Sequence, residues 1–191
     1  KTGGRNDYRT FETGLTEAAD LQRSIEEELR QAAAREEFEL SYQPIIDAKT
    51  RAVCGAEAFL RWCHPSRCVL LPDQFLPLAE SIGLMPQLGE WVLQRACLDA
   101  TAWPSDVKVS VNISATQFRK GNLFDVVLCS LVDSGLSPDR LELEIGDSVL
   151  LEADRGSILA TIRQLSNLGV SIALDGCGAA YAAIGSGLPF G

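Results

Sequence analysis

Val53-Cys-Gly-Ala-Glu-Ala-Phe-Leu-Arg-Trp62 decides the reading of this chain. The run is apolar apart from one carboxylate, Glu57, and one guanidinium, Arg61. Side chains alternate between the two faces of a strand, so a strand here puts Glu57, Phe59 and Arg61 on one face. A carboxylate and a guanidinium on a common face suit a metal ion beside a phosphate. An edge strand carrying a solvated ion pair fits the same residues, and the stretch by itself leaves both readings open.

Upstream, Phe38 to Asp47 reads as a first strand with Tyr42-Gln43-Pro44 inside it, and a mid-strand proline implies a sheet edge or a bulge. Lys49-Thr50 reads as the turn between the two strands. Further back, Thr16 to Glu36 reads as a helix capped by Thr16, with Leu21, Ile25 and Leu29 as a narrow stripe and Glu26–Arg30 as an i,i+4 pair. Such a stripe fits packing against a domain edge, or a coiled-coil linker to an upstream domain. Residues 1–15 are polar and form no domain.

Downstream, His64 to Leu71 reads as a loop. Pro72 to Ile82 reads as a helix ended by Gly83, and Leu88 to Ala102 as a second helix stopping at Trp103-Pro104. Strands at Val107–Ile113, Leu141–Ile145 and Val170–Leu174 then alternate with helices at Asn122–Ser134 and Asp154–Leu168, the helices closed by Gly135 and Gly169. This alternation specifies an α/β fold with a parallel sheet covered by helices. Asn112, Glu144 and Asp175 fall at or near the C-terminal ends of their strands, where α/β folds place their chemistry. With Glu57 they form a hard oxygen set suited to magnesium, manganese or calcium rather than zinc. Strand-end capping and turn formation are the competing explanation for each.

Composition narrows the classes. The 191 residues are 46% hydrophobic and 23% charged, enough for one globular core. The net charge is −9 with no basic run, which argues against a nucleic-acid partner. No apolar run approaches membrane-spanning length and Lys1 to Arg5 has no signal-peptide core, so no membrane contact is expected within this chain. The six cysteines lack CxxC spacing and mostly sit in apolar stretches, which reads as buried free thiols in a reducing cytoplasm, whether of this chain alone or of a larger protein. The single histidine, His64, lies in a turn signal, so a histidine-based triad or a histidine-rich metal site is hard to build.

Taken together, the motifs resemble the EAL family of cyclic di-GMP phosphodiesterases. The resemblance is carried by Tyr42-Gln-Pro-Ile45, Gly55-Ala-Glu-Ala-Phe-Leu-Arg-Trp62, His64-Pro65, Phe75-Leu-Pro-Leu-Ala-Glu80, Gly89-Glu-Trp-Val-Leu93, Val111-Asn-Ile-Ser114 with Gln117-Phe118, and Leu141-Glu-Leu-Glu-Ile145. It covers about Glu37 to the end, in the family's order. Gly4 to Arg9 also looks like the tail of a GGDEF domain, which would divide the chain into a tail and linker helix, 1–36, and an EAL-like domain, 37–191. The resemblance implies a (β/α)8 TIM-barrel-like fold whose first strand runs against the others. It implies a divalent metal pair, magnesium or manganese, that activates water against one phosphodiester of cyclic di-GMP. Position by position, Glu57, Asn112, Glu144 and Asp175 match metal ligands, and Gln43 and Arg61 match substrate contacts, Arg61 toward a phosphate.

The chain departs from the family at the chemistry. Gly176 stands where a second aspartate follows the first, and Glu144-Ile-Gly-Asp147 stands where the family has Glu-x-Thr-Glu. Glu37 to Gly191 is well short of the roughly 250 residues of a typical barrel, and about five of eight strands are present. The expectation is therefore an incomplete, degenerate EAL module without an intact catalytic set, of which Glu57 and Asp175 are motif remnants, holding magnesium or manganese if it holds a metal at all. It would bind cyclic di-GMP weakly, or a protein partner or second copy that covers the open edge of its last strand. The alternatives are a working phosphodiesterase whose later strands lie beyond this sequence, and a structural fragment with no ligand.

Overall fold

The computed structural model describes residues 23–146, 149 and 155–175, with the side chains of Arg155 and Asp175 excepted. The Thr16 cap, Leu21, the Gly4–Arg9 tail, Asp147 and Gly176–Ala182 lie outside the described residues.

The described elements run as follows. Helix α1 (residues 23–32) precedes β1 (Phe38–Ile46), β2 (Val53–His64) and β3 (Cys68–Leu70). Then come α2 (Pro72–Ser81), α3 (Met85–Ala100), β4 (Lys108–Ile113), α4 (Ala115–Arg119) and α5 (Leu123–Ser134). A short 3-10 turn (Pro138–Arg140), β5 (Leu141–Gly146), α6 (Arg155–Leu168) and β6 (Ser171–Asp175) complete the series. The sheet order is β1-β2-β4-β5-β6, with β3 on β2. The strands β2, β4, β5 and β6 are parallel and β1 is antiparallel to β2. This is the α/β, TIM-barrel-like arrangement expected, with five strands in series. Pro44 sits as predicted: among the described strands β1 lies at one edge of the sheet, and its register shifts between Ile45 and Ile46.

Helix periodicity explains the core. Val127 and Leu131 on α5, and Ile158, Ile162 and Leu165 on α6, recur at i+3 and i+4 spacing and are buried. They close over Val109, Val111, Leu141, Leu143 and Ile145 from alternate positions of β4 and β5. Each fully buried side chain of this kind is worth about 1.5–3 kcal/mol. Gly135 ends α5 at φ +75° with its N–H on the Leu131 carbonyl, a left-handed cap that glycine adopts without Cβ strain. Gly89 is required by packing instead: a Cβ there would lie 2.2 Å from Nε2 of the buried Gln117. Arg140 ties the 3-10 turn to the α3–β4 connection, its guanidinium donating to the carbonyls of Ala100, Pro104 and Val107.

A second cluster lies at the far end of β2. Leu29 and Ala32 of α1 pack with Phe38, Leu60, Trp62 and Phe75. The described part of the stripe, Ile25 and Leu29, packs against the domain edge. The anchoring is also polar: His64 Nε2 lies 2.5 Å from Glu28 Oε2, the Ser66 backbone N–H donates to His64 Nδ1, and the Trp62 indole donates to Glu37.

Three expectations are corrected. The segment His64–Leu71 is not all loop, since His64 ends β2 as a buried residue and Cys68–Leu70 pairs with Trp62–His64. The five described cysteines are free, but only Cys97 is buried; Cys54, Cys68 and Cys129 are exposed. An apolar neighbourhood in sequence does not bury a side chain on the solvent face of its own element, as Cys129 shows between buried Val127 and Ser130. Burial pushes the Cys97 thiol up to about 12, so it is unreactive at neutral pH. Finally, α4 occupies a stretch to which the sequence reading gave no element.

Candidate functional site

Strand alternation builds the site. On β2, Ala58, Leu60 and Trp62 are buried toward the helices, which leaves Glu57, Phe59 and Arg61 on the opposite face. On β4, Val109, Val111 and Ile113 face the helices, and Ser110 and Asn112 the open side. On β5, Leu141, Leu143 and Ile145 are buried, and Glu142 and Glu144 alternate with them. Cross-strand register then assembles the open face. Gln43 lies opposite Glu57, Glu57 is level with Ser110, and Asn112 is level with Glu144.

Hydrogen bonds lock this face diagonally. Asn112 Nδ2 donates to Glu57 Oε1 at 2.8 Å, and Ser110 Oγ donates to Glu144 Oε1 at 2.5 Å. Arg61 sits further along β2, where its Nε donates to Ser41 Oγ at 2.9 Å. Five of the six sequence-predicted residues are thus brought to one face. Glu57, Asn112 and Glu144 are contiguous, Gln43 stands beside Glu57, and Arg61 is two positions along. Asp175 pairs with Gly146 in the β5–β6 register, and its side chain lies outside the described residues.

Glu57, Asn112 and Glu144 offer two carboxylates and one side-chain amide, all oxygen ligands, which fits a hard divalent cation. Asn112 spends its N–H on Glu57, which leaves its amide oxygen as the free ligand atom. Among the described residues no three Asp, Glu, His or Cys side chains converge.

A cavity of about 480 Å³ opens beside Asn112 at this end of the sheet, between β2, β4 and the helices α2 and α3. Its walls are mostly apolar, with Phe59, Leu76, Met85 and Val92 among them, and Glu80 supplies a carboxylate. Sequence reasoning missed Ser41 and Ser110. The signal was present: each serine lies two residues from a predicted site residue, Gln43 or Asn112, and so on the same face of its strand.

The EAL domain family model matches residues 26–186. A protein of Caulobacter vibrioides, described as an uncharacterised signalling protein, is 41% identical over 184 residues, covering 96% of this chain and 23% of that protein. MucR of Pseudomonas aeruginosa, a bifunctional diguanylate cyclase/cyclic di-GMP phosphodiesterase, is 39% identical over 188 residues, covering 96% of this chain and 27% of its own length. The chain therefore spans about a quarter of these relatives. Among solved structures, the MucR phosphodiesterase in complex with c-di-GMP superposes with a TM-score of 0.75 at 41% identity, over 81% of this chain and 64% of that one. The cAMP-bound EAL enzyme Bd1971 superposes with a TM-score of 0.79 at 26% identity, over 95% and 52%.

Proposed function

This chain belongs to the EAL family, and from that premise we propose that it is a cyclic di-GMP-binding signalling module without phosphodiesterase turnover. The observation that carries the reading is the diagonal Asn112–Glu57 bond together with the Asn112–Glu144 register, which put three oxygen donors side by side. In this reading Glu57, Asn112 and Glu144, with Asp175, hold magnesium or manganese. Gln43 and Arg61 contact the dinucleotide, Arg61 by a charge-assisted bond to a phosphate. The cavity beside Asn112 has the size and apolar lining to take one base. A bound pair of divalent ions supplies hydroxide and charge neutralisation at a phosphodiester. The chain's own part is to hold the ester against those ions, and here it falls short. Gly176 has no side chain to offer where the family has a ligand aspartate, and Gly146-Asp147 replaces the Thr-Glu of the neighbouring motif.

The tail and linker boundary at residue 36, a cytoplasmic location, and a protein partner or second copy on the outer edge of β6 belong to the same proposal. That edge pairs with no other described strand.

Calorimetry with cyclic di-GMP, with and without manganese, tests the binding. Arg61→Ala should weaken it at least tenfold, and an unchanged affinity would place the ligand elsewhere. The second reading, turnover, is favoured by the 39% identity to a relative described as a phosphodiesterase. Manganese-dependent hydrolysis to the linear dinucleotide above a Glu57→Ala control would establish it and remove the non-catalytic part of the proposal.

A further inference from the structure

The bonded carboxylates of the open face, Glu57 and Glu144, belong to β2 and β5, with β4 between them. Two strand spacings separate them, about 9–10 Å between backbones. Each is held by one donor from β4. Asn112 is level with Glu144 but bonds across to Glu57, and Ser110 is level with Glu57 but bonds across to Glu144. The two diagonals cross on β4, so each donor secures the carboxylate that lies level with the other.

Ser110 is the less conspicuous half of this arrangement. It is 1% exposed and its hydroxyl points to the carboxylate at 2.5 Å, the short range of a charge-assisted O–H···O bond. Its strand neighbours Val109 and Val111 are both core residues. Resting on the function proposed above, we infer that Ser110 is a positioning residue of the metal site: its hydroxyl fixes the Glu144 carboxylate beside Asn112. A serine that merely fills space would be replaced by alanine without consequence for the ligand. A serine that orients a ligand carboxylate would not, since hydrogen bonds behind metal ligands typically change affinity 10- to 100-fold.

The test is manganese binding to the full chain, followed by calorimetry and by the electron paramagnetic resonance of free Mn²⁺. It compares the wild type with Ser110→Ala, Ser110→Thr, Glu144→Gln and the Ser110→Ala/Glu144→Gln double variant. Ser110→Ala should weaken Mn²⁺ about 10- to 100-fold at an unchanged urea midpoint. Ser110→Thr, which keeps the hydroxyl, should restore most of the affinity. The double variant should bind no more weakly than Glu144→Gln alone, because Ser110 acts only through that carboxylate. Unchanged affinity in Ser110→Ala, or losses that add in the double variant, would overturn the inference while leaving the proposed function standing. If Ser110→Ala unfolds, Ser110→Thr decides, and wild-type stability with a lost Mn²⁺ signal in that variant counts against it. A wild type that binds no Mn²⁺ would remove the metal site and this inference with it, while cyclic di-GMP calorimetry without manganese still decides the proposed function.

Discussion

The two faces of one sheet differ in what their residues are for. Toward the helices, Val109, Val111, Leu141, Leu143 and Ile145 are at most 1% exposed and belong to the larger apolar core. One residue along, on the open face, stand Ser110, Asn112, Glu142 and Glu144, of which Ser110 bonds Glu144 and Asn112 bonds Glu57. Stability is concentrated on the first face and ligand chemistry on the second. Alternation keeps them apart even though they share every strand, so substitutions on one face should leave the other's property largely intact.

The largest expected break is Leu143→Ala. Leu143 is fully buried at the centre of the larger core, and truncation there should cost about 2–5 kcal/mol, read from urea unfolding, with no change in ligand chemistry per folded molecule. Next is Gly89→Ala, which drives a Cβ into the Gln117 amide. Gln117 Oε1 receives the Ser114 N–H at 3.0 Å at the start of α4, so the displaced amide gives up that cap. A loss of about 1–3 kcal/mol is expected, and a compensating Gln117→Ala in the same chain should recover part of it. Glu57→Gln sharpens the comparison from the other side. Stability should stay within about 0.5 kcal/mol, while manganese affinity falls at least tenfold; equal losses in both would mean that the faces are not separable.

The smallest effect is the acid limb of stability. Hydrogen bonds from Ser24 and from His64 hold the Glu28 carboxyl below its ordinary value of 4.5. The folded state therefore binds that proton less readily than the unfolded one. The stabilisation is complete above about pH 4.5 and is lost as pH falls through the lower folded value. Glu28→Gln should flatten this part of the stability profile, measured as the unfolding midpoint between pH 3 and 5. A profile identical to wild type would show that the α1 anchor is set by Leu29 and Ala32 alone.

Most of the architecture could be read from the sequence because its strands alternate and its helices carry stripes. Glu57, Asn112 and Glu144 stood out as polar residues in apolar runs, and the sheet brings them together. What could not be read has physical causes. β3 is a three-residue strand entered through Cys68 at φ +61°, which pairing with β2 sustains and no local pattern announces. α4 is five residues long, too short for periodicity, and opens on the Ser114–Gln117 bond. Ser110 and Ser41 are small and common, and their value lies in partners on other strands. His64 read as a turn residue because Pro65-Ser66 follows it, whereas its partner Glu28 comes from a helix far upstream in the chain.

The strict division of β2 into two faces has an evolutionary corollary. The turn between β1 and β2 is held by Asp47, whose carboxylate accepts from Lys49 and Thr50, and Ala48 to Ala52 are exposed. Insertions or deletions there alter a solvent-exposed crossing and little else. Within β2, one added or lost residue reverses the facing of everything beyond it. Placed before Glu57, such a change would turn Glu57 and Arg61 into the helix layer and Leu60 and Trp62 into the ligand mouth, ending fold and function in one step. Length variation in a lineage of such chains should therefore collect at 48–52 and be absent from 53–64.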